Sequence, residues 1–157
     1  MLRRFMCIFS AAALLLSLCA CGDINIPFEP EPFTAQVTTR GTANEIKGEL
    51  TYNSPEDITF KIKEPGNISG MEFTSASQSM DISVGEVSFT TDAGKDSPIY
   101  TLFGALEKLA ASDVSIPLKG ESEISFEYEG MTCRANINCE EKKITSMEAE
   151  KYSYIFE

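Results

Sequence analysis

The side chains able to do chemistry in this chain are thiols and carboxylates, because its 5 Cys and 24 Asp+Glu are accompanied by no His. A nucleophilic thiol needs a base beside it, and the usual imidazole partner is missing. Cys133 and Cys139 flank the alternating Ala135 and Ile137. On a single strand, six steps of about 3.3 Å would part them by about 20 Å, whereas a disulfide needs Cα atoms within about 7 Å. They read as two small core residues, the alternative being a bridge across a tight turn through Arg134 to Asn138. The carboxylates of Glu121, Glu123, Glu127, Glu129, Glu140, Glu141, Glu148 and Glu150 mostly alternate with apolar residues, the pattern of a solvated sheet face. A paired acid and base, or a cation site, is the competing use of such residues. No P-loop, Gly-x-Gly-x-x-Gly turn or calcium loop occurs. The expectation is a protein that is not an enzyme and holds no metal or cofactor. With 13 Lys+Arg and a net charge of −11, it also lacks the basic surface on which nucleic-acid binding depends.

The remaining thiols lie at the start. Arg3 and Arg4 precede an apolar run from Phe5 to Leu18, shorter than the roughly 20 residues a membrane-spanning helix requires, so residues 1–20 read as a secretory signal. Its end, Leu18-Cys19-Ala20-Cys21-Gly22, resembles the bacterial lipobox: an aliphatic residue, a small residue before the cut, then Cys. That pattern selects Cys21 over Cys19, whose preceding Leu18 is too large. The resemblance implies a diacylglycerol thioether on Cys21 and a protein held at the extracytoplasmic face of the cell membrane. An ordinary signal with incidental cysteines is the alternative. Loss of residues 1–20 removes two Arg, leaving 11 Lys+Arg against 24 Asp+Glu, or −13. An anionic bilayer repels such a body, so attachment rests on the acyl chains. Gly22 after the Cys is similar to lipoproteins of Gram-positive bacteria.

These groups must be positioned by whatever follows. Cys21 to Pro32, with three prolines and several acidic residues, reads as an extended tether of about 3.1 Å per residue, the alternative being an edge strand at Ile24 to Phe28. From Phe33 the chain takes up period-two alternation: Phe33, Ala35, Val37; Ile46, Gly48, Leu50, Tyr52; Ile58, Phe60, Ile62; Met80, Ile82, Val84. A bend at Gly85 shifts the phase to Val87 and Phe89. Ser97 and Pro98 then open a helix with apolar residues at Ile99, Leu102, Phe103, Leu106 and Leu109, after which strands resume to Phe156. The fold class expected for residues 33–157 is mainly antiparallel β with one helix: a curved half-barrel of about eight or nine strands wrapped on that helix.

The lipobox, the acidic Pro-containing tether, the alternation beginning FTAQVTTRGTANEIKGELTY, the helix SPIYTLFGALEKLAAS and the late hairpin MTCRANINCEEKKITSMEAE together resemble small clostridial lipoproteins. Those are similar in turn to half-barrels of the LolA/LolB and LppX/LprG type. The resemblance implies an unclosed sheet around helices, with an apolar space that can hold acyl chains. Leu102, Phe103 and Leu106 would then face Phe60, Phe73 and Phe126 across a ligand groove, although the same residues also suit a filled core. Two functions are expected of such a chain: a membrane-anchored binder of a lipid or other apolar ligand, or an accessory module that presents a sheet edge or its acidic face to a protein partner of unknown identity.

Overall fold

The computed structural model describes residues 24–41, 45–76, 79–91 and 97–157. Cys21, the signal and the first residues of the tether lie outside the described residues. Alternation becomes an antiparallel sheet because each strand has one face to bury: in β4 (Asp57–Glu64), Ile58, Phe60 and Ile62 are buried while Lys61 and Lys63 are exposed. Nine further strands join it: β2 (Phe33–Arg40), β3 (Ile46–Ser54), β5 (Glu72–Ala76), β6 (Ser79–Val84), β7 (Val87–Thr91), β9 (Glu121–Tyr128), β10 (Met131–Asn138), β11 (Lys143–Ala149) and β12 (Tyr152–Phe156). The ten lie in the order β7-β6-β5-β4-β3-β2-β12-β11-β10-β9. The sheet is open and curved, with β7 and β9 as its two edges. It is the expected half-barrel, with ten strands in place of eight or nine.

The chain runs outward from β2 to β7, crosses back as α1 (Pro98–Ala110), and returns from β9 to β12, which pairs with β2 through Phe156↔Val37. Turn chemistry sets the register. Glu129 and Gly130 both have positive φ between the paired Tyr128 and Met131, and Gly85 (φ 61) turns the hairpin that pairs Val84 with Val87. Pro98 occupies the first turn of α1, where a missing N–H costs nothing, and Ser97 precedes it in an extended conformation without a side-chain cap bond. Tyr154 donates its hydroxyl to the Pro98 carbonyl at 2.7 Å, pinning the start of the helix to β12. Residues 101–106 of α1 are all buried, so the helix lies within the concavity and not merely on its surface.

Part of the expected tether takes the alternative form, an edge strand, while residues 29–32 have no regular structure. Asn25–Pro27 forms a short strand, β1, paired antiparallel with β8 (Ser115–Pro117), and the Phe28 N–H donates to the Val114 carbonyl at 2.8 Å. Ile26 and Phe28 point inward, and Phe28 and Ile116 are buried in the core. Proline is tolerated here because β1 has one partner strand and a free side. The β1–β8 ribbon therefore belongs to the domain and closes its core beside the end of α1.

Candidate functional site

Phe60, Phe73, Leu102, Phe103, Leu106 and Phe126 do converge, as the pattern required, but the space between them is filled. All six are buried in one cluster together with Phe28, Tyr52, Ile116, Met147 and Tyr154. They are core side chains and do not line an open groove. The remaining gap at the seam between α1 and the sheet is about 40 Å³, bordered by Ser75, Met80, Tyr100, Phe103, Glu107 and Tyr128. That admits water, not a ligand whose pocket takes about 300 Å³ or more. The physical reason is plugging from both sides: the β1–β8 ribbon inserts Phe28 and Ile116, while Tyr128 crosses α1 at Gly104, where a Cβ would collide with its ring.

The seam is the polar part of this interior. Ser75 donates its hydroxyl to the Glu107 carboxylate at 2.9 Å. Burial raises the Glu107 carboxyl above its ordinary value, with the Ser75 bond opposing and the charge of Glu56 adding. Burial likewise pushes the Tyr128 hydroxyl far upward, so it stays protonated. Cys133 and Cys139 are free and buried, and burial raises both thiols, which makes them poor nucleophiles. Two of the outer-face carboxylates are engaged in surface contacts, Glu148 with Arg134 at 2.6 Å and Glu127 accepting from Thr132 at 2.8 Å. No group of His, Cys, Asp and Glu able to hold a metal ion occurs among the described residues.

What the core does not absorb is a lip at the β7 edge. Cross-strand partners share a face, so Ile82↔Phe89 and Val84↔Val87 put Phe89, Val87 and Val84 on the concave side with the buried Ile82 and Met80. Yet Val84, Val87 and Phe89 are 47%, 67% and 52% exposed. Geometry explains the difference. A 13-residue helix is about 20 Å long and about 10 Å wide, whereas ten strands at about 4.8 Å spread over about 43 Å, so one helix cannot cover the whole inner face. Alternation places these residues on strands but gives no sign of their exposure. The usable signal was the two-residue turn, which makes Val84 and Val87 partners on one face.

A second cavity, about 290 Å³, lies on the same inner face where β12 ends between β2 and β11. Phe33, Ala35, Ile144 and Phe156 supply its apolar wall, and Asn138 and Lys143 stand at its rim. Phe33 stacks on Tyr52 at 5.4 Å and meets Phe156 edge-on at 6.2 Å, which ties this wall to the core.

No protein-family model matches the chain, and no curated protein matches it. Among solved structures it is similar to an uncharacterized conserved protein from Thermus thermophilus, at 9% identity and a TM-score of 0.43, over 81% of this chain and 76% of that one. It is also similar to a LolA superfamily protein from Nitrosomonas europaea, at 11% identity and a TM-score of 0.37, over 79% of this chain and 66% of that one. Among the described residues no helix is long and apolar enough to cross a membrane.

Proposed function

We propose that this protein is a non-enzymatic lipoprotein, anchored through Cys21 at the extracytoplasmic face of the cell membrane, that binds a lipid or other apolar ligand on the open lip of its half-barrel. The observation that carries the reading is the exposure of Val84, Val87 and Phe89 on the face that elsewhere forms the core. Covering three half-exposed apolar side chains gains on the order of 1 kcal/mol apiece. A flexible acyl chain can lie along such a ridge without unpacking the interior.

Native mass spectrometry of the acylated protein tests this. The wild type should retain an apolar molecule besides its own acyl groups, and a Val87→Asp/Phe89→Asp variant should lose it while keeping its fold. A ligand-free wild type, or one whose ligand survives the double change, defeats the proposal. The anchor has a separate test: Cys21→Ala should free the protein into the medium or leave it unprocessed.

One observation favours a second reading. β7, Val87-Ser88-Phe89-Thr90-Thr91, is an edge strand with no charge or proline to discourage pairing, so a partner strand could extend the sheet there. A photo-crosslinker at the exposed Ser88 separates the two: discrete protein adducts in intact cells mark a partner, and lipid adducts mark the ligand.

A further inference from the structure

Five large apolar side chains are substantially exposed among the described residues, and the β7 lip accounts for three. The other two, Ile24 at 66% and Leu118 at 48%, are far apart in sequence but flank one strand pair, Asn25↔Pro117, at the outer end of the β1–β8 ribbon. Alternation explains their direction. Ile24 shares the phase of Ile26 and Phe28, and Leu118 that of Ile116. The inner half of this apolar stripe plugs the core with Phe28 and Ile116, while the outer half runs past the end of the core into the open. Lys119, also exposed, follows directly.

The covalent chain states what lies nearby. Ile24 is three residues after Cys21, so its Cα can stand no more than about 11 Å from that of the anchoring residue. On the anchoring reading, on which this step rests, Cys21 sits at the bilayer surface, and the ribbon tip is held within about 11 Å of it. The wide stand-off expected of an extended tether is gone, because residues 25–28 are used in the fold. We infer that the Ile24–Leu118 tip is a second, non-covalent membrane contact, seated at the boundary between headgroups and acyl chains. Apolar side chains beside a cation suit that layer, with Lys119 reaching the phosphates. The remainder of this acidic protein is repelled by an anionic surface, so the tip fixes which way the domain faces.

Site-specific fluorescence on the acylated protein in vesicles of phosphatidylcholine and phosphatidylglycerol tests the contact. Cys133 and Cys139 are buried, so a thiol-reactive, polarity-sensitive dye can be directed to Leu118→Cys, to Ile24→Cys with Leu118 retained, or to Ser125→Cys on the exposed face of β9. The dye at 24 and at 118 should shift to the blue, lose intensity to lipids brominated near the glycerol end, and resist aqueous iodide. At 125 the pattern should be reversed. The mass of the N-terminal peptide reports acylation in the same samples. Dyes at 24 and 118 quenched by iodide as strongly as at 125, on a protein shown to be acylated, overturn the inference and leave the anchor standing. Dyes shielded from both quenchers also overturn it, since protein then covers the tip. An N-terminal peptide without acyl groups overturns the anchor and the inference together.

Discussion

The two free edges of the sheet are built in different ways. On β9, Glu121, Glu123 and Glu127 face outward, and the inward Ile124 and Phe126 are buried where the strand packs against α1. On β7 no residue is charged, and the inward Val87 and Phe89 are exposed. Charge and a covering helix are the ordinary means of making an edge inert, and one edge has both while the other has neither. An edge left apolar over three large side chains is where the proposed ligand would lie, whereas the inner face of β9 is buried against the helix.

The widest separation between them is in stability. Phe126→Ala should lower the unfolding free energy by about 3–5 kcal/mol, since it empties a packed site, while Phe89→Ala should cost less than about 1 kcal/mol. Urea denaturation of the detergent-solubilised protein measures both. Equal losses would mean that β7 is part of the core and would remove the basis for a lip.

Next in size is the contact that holds β9 over the helix. Gly104→Ala places a methyl group against the Tyr128 ring and should cost about 1–3 kcal/mol. Adding Tyr128→Leu should recover part of that loss, because the two residues share one space. Additive losses in the double variant would show that Tyr128 does not close the seam.

Much of this arrangement was legible in the sequence. Alternation was readable wherever one strand face is buried, as in Ile58, Phe60 and Ile62, and the helix was readable from its Pro98 start and apolar spacing. The closing ribbon was harder to read, because three prolines and nearby acids hid the alternation of Ile24, Ile26 and Phe28, and its partner Ile116 lies some ninety residues later. Whether Phe60 and Phe126 line a space or fill it depends on volumes contributed by Phe28, Tyr128 and Tyr154, which no local pattern contains. The exposed lip depends likewise on the ratio of helix length to sheet width.

The smallest expected effect tests the seam between the two halves, where Glu107 on α1 accepts from Ser75 on β5 beside Tyr128 of β9. Burial raises the folded-state pKa of Glu107 above its ordinary value of 4.5. The folded protein therefore holds this proton more tightly than the unfolded chain does. The associated stability is fully present below the unfolded pKa and is lost as pH rises through the folded one. Glu107→Gln can still accept from Ser75 and carries no charge to bury. Its thermal midpoint should match the wild type in acid and exceed it modestly at neutral pH, the gap opening just above the ordinary carboxylate range. A gap that is the same at every pH would mean that water already reaches this carboxylate freely, and the seam would then be as open as the β7 lip.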